Sequence, residues 1–202
     1  MYGDPNKKDF TAADLPKNRY ELFWDVLKIR VLGLMGVNLL FLLFALPIII
    51  FLFFSLFAIS EQYKAAPNMP IEDIIGNLNW TVFFCIPLFA LTGPAQAGMT
   101  YVIRNWAWGE SASPWSDFWK EYKRSWGKAT LYSLLCAIFF YAVFYYVSGL
   151  MLNPDLNKIV FYLIVIVLGI LSLLFLLMNV YVYPIMVTFN LKFKQILKNS
   201  LI

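Results

Sequence analysis

Histidine is absent from this 202-residue sequence, and cysteine occurs only twice. The absence of histidine removes the commonest metal ligand and the commonest general base at neutral pH. Cys85 and Cys136 both lie inside apolar runs and are not spaced for zinc, so we expect two free, buried thiols. No residue is therefore assigned a catalytic, metal-binding or cofactor-binding role, and we expect the protein not to be an enzyme.

Charge is also scarce. Only 14% of the residues are charged and 61% are hydrophobic, whereas soluble domains average about 25% and 45–50%. Four long runs contain no Asp, Glu, Lys or Arg: 31–60, 74–103, 129–154 and 159–191. Each run is long enough to cross a hydrocarbon core of about 30 Å. The sequence thus predicts an all-α integral membrane protein with four complete transmembrane helices.

The few basic residues are distributed unevenly between the hydrophilic segments. Fourteen of the 16 lysines and arginines lie in residues 1–30, in residues 104–128 and after residue 191. The intervening segments 61–73 and 155–158 hold one lysine each. By the positive-inside rule this pattern predicts a multi-pass protein with a cytoplasmic N-terminus. The net charge of +4 then indicates contact with anionic membrane lipids, and no basic run is dense enough to predict nucleic-acid binding.

The same patterns predict the domain organisation. Residues 1–17 form a polar N-terminal tail, and residues 18–202 form a single transmembrane helical domain. Its spans are expected at about 31–60, 80–103, 129–152 and 159–191. The final residues, LKFKQILKNSLI, predict the start of a further helix at about 193–202. Because a protein rarely stops inside a helix, we expect a truncated fifth helix there.

Two amphipathic helices are predicted to lie in the membrane interface. In residues 18–30 the apolar side chains of Tyr20, Phe23, Trp24 and Leu27 recur at helical spacing. The second helix, at about 114–126, begins with Ser113 and Pro114 as cap and first-turn residues, and Gly127 is its predicted terminator. Its aromatic residues fall at positions i, i+3, i+4, i+7 and i+11: Trp115, Phe118, Trp119, Tyr122 and Trp126.

This aromatic stripe allows two interpretations. Trp and Tyr prefer the bilayer interface, so the helix can be a lipid anchor. The same residue types dominate binding hot spots, so the stripe can be a docking surface for a partner protein. The two interpretations are not exclusive.

Span two contains the segment Gly93-Pro94-Ala95-Gln96-Ala97-Gly98. Gly93 and Ala97 form a small-xxx-small pair, which lets another helix approach closely, and Pro94 weakens the local backbone hydrogen bonding. We interpret Gly93, Pro94 and Ala97 as a candidate partner interface on a packed, kinked helix, with a cavity-lining element as the alternative.

Three polar side chains, Asn38, Gln96 and Asn179, lie within the apolar runs. Asn38 is expected to form a hydrogen bond between helices. If the protein transports a ligand by itself, the same side chains are candidates to line a polar path.

Three blocks of sequence resemble a known family. The opening of that family resembles FWDVLKIRVLGLMGVNLLFLLFALPIII. Its central signature resembles GPAQAGMTYVIRNWAWGE followed by DFWKEYKRSWGKATLYSLL, and its closing segment resembles YPIMVTFNLKFKQILKNSLI. The family is the YesL-like family of bacterial membrane proteins, known as domain of unknown function 624. Its members normally continue through at least one further span.

The resemblance implies a bacterial cell-membrane protein without established enzymatic activity. Members are often encoded beside carbohydrate ABC importers and polysaccharide-degrading enzymes. This association implies an accessory or scaffold subunit of an oligosaccharide importer, with permease subunits as partners in a complex that includes the ATPase and the sugar-binding protein. The alternative is an autonomous small-molecule transporter or channel that acts as an oligomer.

Overall fold

The computed structural model describes residues 18–153 and 157–201. Within these ranges all regular secondary structure is helical, and there is no strand. Six helices follow one another: α1 (Arg19–Ala65), α2 (Ile71–Ala90), α3 (Thr92–Ala107), α4 (Ser116–Met151), α5 (Lys158–Thr188) and α6 (Phe193–Ser200). Of these, α1, α2, α4 and α5 are long and apolar enough to cross a membrane, which confirms the prediction of an all-α, multi-pass membrane protein. The tail predicted at residues 1–17 lies outside the described residues.

Helix α1 replaces two predicted elements. The interfacial helix expected at 18–30 and the span expected at 31–60 form one uninterrupted helix, Arg19–Ala65, which continues through Pro47. No glycine or proline separates the two segments, so nothing ends the first helix. Its 47 residues correspond to about 70 Å at 1.5 Å per residue, well beyond the thickness of a hydrocarbon core.

The second predicted span is divided between two helices. Helix α2 starts at Ile71, nine residues before the expected start at Trp80, and a single residue, Leu91, separates α2 from α3. Leu91, between them, keeps a right-handed helical conformation, and the Thr92 hydroxyl donates to the Phe89 carbonyl at 2.8 Å. Pro94 occupies the third position of α3, where its missing N–H matters least. The irregularity predicted near Pro94 is therefore a break at Leu91.

Helix α4 also joins two predicted elements. The interfacial helix expected at 114–126 and the span expected at 129–152 form one 36-residue helix. Gly127 does not terminate it, because the positive φ that such a terminator needs occurs, among the described residues, only at Gly109. A glycine inside a helix costs about 1 kcal/mol, which tertiary packing readily outweighs.

The core forms where α2 and α3 together run antiparallel to α4. Ser148 of α4 donates to the Asn79 side chain at 3.2 Å at one end, and Ser133 donates to the Ala90 carbonyl at 2.8 Å nearer the middle. Helix α5 packs on α4 through Phe139 and Phe175, whose ring centroids are 4.4 Å apart, and through Tyr132 and Tyr183 at 5.5 Å. The end of the bundle that holds Asn79 and Ser148 is called the far end below.

Large parts of α1 and α5 remain uncovered. In the most apolar 18-residue stretch of α5 no residue is buried, and in the corresponding stretch of α1 only 6% of the residues are buried. At its C-terminal end α5 meets α6, which folds back on it so that Ile196 is completely buried beside Val182 and Met186. Helix α6 lies where the start of a further helix was predicted. The apolar faces of α1 and α5 are left for lipid or for another protein.

Candidate functional site

The aromatic residues predicted to form a stripe are in contact along the start of α4. This aromatic row consists of Trp115, Phe118, Trp119, Tyr122 and Trp126. The ring centroids of Trp115 and Trp119 are 6.0 Å apart, those of Trp119 and Tyr122 are 5.1 Å apart, and those of Tyr122 and Trp126 are 5.3 Å apart. Such offset and edge-to-face pairs each contribute about 0.5–1.5 kcal/mol beyond their buried area.

Phe44 of α1 covers the centre of the aromatic row. Its ring lies 6.4 Å from that of Phe118, 5.9 Å from that of Trp119 and 5.0 Å from that of Tyr122. Phe118 is completely buried, whereas Trp115 is 62% and Trp126 is 43% exposed. The centre of the row is thus part of the core, and its two ends are surface.

The loop before α4 is fixed by local hydrogen bonds. The Ser113 N–H donates to the Asp117 carboxylate at 2.8 Å, and the Ser113 hydroxyl accepts from the Ser116 N–H at 3.4 Å. Ser113 thus stabilises the turn before α4, whereas the helix starts at Ser116 with Trp115 at the cap position and without a side-chain cap bond. The Trp106 indole N–H donates to the Ala112 carbonyl at 2.9 Å, which ties the loop to α3.

A polar cluster lies beside the aromatic row, and the sequence patterns did not predict it. Its central group is the Glu121 carboxylate, whose side chain is 2% exposed. The carboxylate accepts hydrogen bonds from Arg124 Nη2 at 3.0 Å and from the Ser125 hydroxyl at 2.5 Å, and Arg124 Nε lies 2.9 Å from its second oxygen in an ion pair. These contacts offset part of the hydration that the carboxylate loses on burial. The residues lie at i, i+3 and i+4, a spacing that could have revealed the cluster.

The basic side chains of this region converge on the end of α5. Arg104 Nη1, from α3, donates to the Val187 carbonyl at 2.9 Å, and Arg124 Nη2 donates to the same oxygen at 3.1 Å. Lys128 Nζ donates to the Leu191 carbonyl at 2.9 Å. The last carbonyls of a helix lack intrahelical partners and carry partial negative charge, so cations stabilise them. The end of the bundle that holds Arg104, Arg124 and Lys128 is called the basic end.

Aromatic rings hold the arginines of the basic end in place. The Arg104 guanidinium lies 4.8 Å from the ring centroids of both Tyr101 and Trp108, and that of Arg124 lies 5.8 Å from Tyr101. Each contact of this kind contributes about 0.5–1 kcal/mol at an exposed site. The arginines thus join α3, α4 and α5 into one unit.

The small residues predicted as a partner interface face α4 of the same chain. Gly93, Pro94 and Ala97 are all buried. A Cβ atom on Gly93 would overlap the Ala129 carbonyl and the Ser133 hydroxyl. The close helix approach expected from the small-xxx-small pair is present, and it serves to pack α3 on α4. Of the predicted interface residues, Trp115 and Trp126 are the most exposed.

The three intramembrane polar side chains lie on three different helices. Asn38 is exposed on α1 and donates to the Leu34 carbonyl of its own helix at 2.8 Å. Asn179 of α5 lies 3.6 Å from the Cys136 sulfur of α4, and Gln96 is half-buried on α3. Across the described part of the chain, no hydrogen bond connects any two of these three side chains.

The described residues contain no group of three or more His, Cys, Asp or Glu side chains that could hold a metal ion. Cys85 and Cys136 are free thiols, half-buried and buried respectively. The chemistry available at the basic end is thus hydrogen bonding, cation–π contact and aromatic packing, which suit binding.

Comparison with known proteins gives one match. Residues 73–147 match the family model described as "Protein of unknown function, DUF624". The matched segment contains almost all of α2, all of α3 and α4 as far as Val147, and with them the aromatic row and the polar cluster around Glu121. No curated protein and no solved structure matches the chain significantly.

Proposed function

We propose that this chain, which matches the DUF624 family model over residues 73–147 and resembles the YesL-like family, is an accessory or scaffold subunit of a carbohydrate ABC importer in the bacterial cell membrane. Its partners would be the permease subunits, in a complex with the ATPase and the sugar-binding protein. The link to sugar import rests on the family resemblance, because members of that family are often encoded beside carbohydrate ABC importers.

The arrangement of the aromatic row is the observation that supports a binding role. Its centre is fixed by Phe44, while Trp115 and Trp126 remain 62% and 43% exposed at its two ends. Large aromatic side chains on a rigid support lose little conformational entropy when a partner covers them. The row is therefore a preorganised surface for a second protein.

The uncovered faces of α1 and α5 support the same role. Exposed large side chains of α5 continue from Ile159 to Tyr181. Such a face can pack laterally against a permease helix inside the membrane. The small residues of α3 are already used within the chain, so the lateral contact is assigned to α5.

The orientation follows from the charge distribution. Arg104, Arg124 and Lys128 lie together at the basic end, and the far end is joined by neutral contacts between Asn79 and Ser148. By the positive-inside rule this distribution supports a cytoplasmic location of the basic end and the N-terminus. On this orientation the aromatic row faces the side on which the importer ATPase acts.

Copurification from the native membrane tests the proposal. The tagged chain is extracted in mild detergent, and its companions are identified by mass spectrometry. Permease and ATPase subunits of a sugar importer are expected in stoichiometric amounts. Recovery of the chain alone, or only as a homo-oligomer, would contradict the accessory role and favour the autonomous transporter.

Paired variants then locate the contact. Trp126→Ala should reduce recovery of the permease, whereas Trp80→Ala, which removes a 63% exposed tryptophan near the far end, should not. Equal recovery with both variants would remove the aromatic row from the interface.

A further inference from the structure

A polar pocket opens at the basic end, next to the cluster around Glu121. It has a volume of about 370 Å³ and is lined by Arg124, Ser125, Lys128, Met186, Thr188, Phe189 and Asn190. We infer that this pocket binds the phosphate of an anionic phospholipid head group.

The pocket offers hydrogen-bond donors that the fold does not use. Arg124 employs Nε and Nη2 on Glu121 and Val187, and its Nη1 has no partner within the described residues. Lys128 Nζ makes one bond, to the Leu191 carbonyl, and can donate two more. The Thr188 hydroxyl accepts from Arg104 at 3.3 Å, so its own proton is available. A phosphate group with several acceptor oxygens suits such a set of donors.

The local charge favours an anion. Three cations, Arg104, Arg124 and Lys128, surround the end of α5, and Glu121 is the one carboxylate bonded within this cluster. Two positive charges are therefore left over. The carboxyl end of α5 contributes the equivalent of only about half a negative charge, which does not cancel them.

The position of the pocket favours a lipid over free phosphate. It lies where the charge-free run 159–191 ends and Lys192 follows. Head-group phosphates occupy the boundary at which an apolar helix leaves the hydrocarbon, and basic pockets between helices at this level suit anionic head groups. The uncovered apolar face of α5 provides a surface for the acyl chains.

The test uses the full chain reconstituted in nanodiscs or micelles with phosphatidylglycerol or phosphatidylcholine as the probe, and native mass spectrometry counts retained lipid. We expect retained phosphatidylglycerol and little retained phosphatidylcholine. Lys128→Gln should lower phosphatidylglycerol retention roughly fivefold, the effect of one basic residue near a membrane surface. The matched control is Lys120→Gln, an exposed lysine of the same helix outside the pocket.

Several outcomes would overturn the assignment. Equal losses for Lys128→Gln and Lys120→Gln would mean diffuse attraction without a site. Equal retention of both lipids by the wild-type chain would also refute it, and this arm does not depend on any variant folding. A third arm adds inorganic phosphate: displacement of the lipid at millimolar phosphate would identify a free-anion site, and persistence of the lipid supports the head-group assignment.

Discussion

Arg104 and Arg124, which belong to different helices, donate hydrogen bonds to one acceptor, the carbonyl oxygen of Val187, at 2.9 and 3.1 Å. The shared acceptor is the point at which α3, α4 and α5 meet. Either arginine alone can donate a hydrogen bond to this carbonyl oxygen, so the two contacts are redundant.

This redundancy predicts non-additive effects. Arg104→Met or Arg124→Met alone should each destabilise the protein modestly, by about 1–2 kcal/mol, while the double variant should lose more than the sum. The coupling should fall in the usual range of about 0.5–3 kcal/mol for residues that share a network. Denaturation in detergent micelles, followed by circular dichroism, measures it. Strict additivity would mean that the shared carbonyl contributes nothing to stability.

The two i,i+3 ion pairs of the described chain should differ in their contribution. Glu121→Ala removes a buried carboxylate, leaves the Ser125 hydroxyl without its acceptor and leaves Arg124 with only the Val187 carbonyl. We expect a loss of about 2 kcal/mol, below the full cost of a buried pair because Arg124 is 58% exposed. The control Glu61→Ala breaks the pair with Lys64, whose side chains are 50% and 67% exposed. It should cost at most about 1 kcal/mol. Equal losses of stability in the two variants would show that the burial of Glu121 does not strengthen its contribution to folding.

Gly93 is predicted to tolerate no side chain. Gly93→Ala would place a methyl group against the Ala129 backbone and the Ser133 hydroxyl, and should destabilise the α3–α4 contact by about 1–3 kcal/mol. Gly36→Ala is the matched control, since a Cβ there meets nothing within 4 Å, and it should be neutral or slightly stabilising because alanine favours helix. Thermal unfolding of the two variants separates these cases.

The two ends of the aromatic row should respond differently from its centre. Trp119→Ala removes rings packed on Phe44 and Tyr122 and should destabilise the chain by about 1–3 kcal/mol. Trp126→Ala, at an exposed end, should cost less than about 1 kcal/mol while reducing copurification of a permease. A Trp126→Ala variant that unfolds as readily as Trp119→Ala would assign the whole row to the core.

Cysteine labelling tests the proposed orientation. In a background of Cys85→Ser and Cys136→Ala, two exposed alanines are replaced one at a time: Ala66→Cys at the end of α1 and Ala107→Cys at the end of α3. A membrane-impermeant maleimide applied to intact cells should label only the first, and both should react after permeabilisation. The reverse pattern would place the basic end outside.

Much of the fold is predictable because apolar run length is a strong signal. The four charge-free runs, of which the first is 31–60 and the last 159–191, indicated all four helices that can cross a membrane. The boundaries of the helices were predicted less well, because no sequence pattern distinguishes the start of a span from a charged helical extension of that span. This is why 18–30 merges with α1 and 114–126 with α4.

The site was predictable only in part. The spacing of Trp115 to Trp126 indicated a row on one face, and the rings are indeed in contact. The pair Gly93 and Ala97 indicated a close helix approach, but a small-residue pattern does not say which helix approaches. The hydrogen bond from Arg124 to the Val187 carbonyl joins residues 63 positions apart along the chain, and no local sequence pattern reports such a contact.

Two polar contacts of α4 have a consequence for membrane choice. Lys128 is bonded to the Leu191 carbonyl in the segment between α5 and α6, and Ser148 is bonded to Asn79 of α2. Along α4 they are separated by about 30 Å at 1.5 Å per residue, which equals the hydrocarbon thickness of an average bilayer. Since both anchors are fixed, the helix adapts poorly by tilting alone, and a bilayer several Å thicker or thinner must deform around it. The distance between these two contacts therefore matches the protein to bilayers of one hydrocarbon thickness.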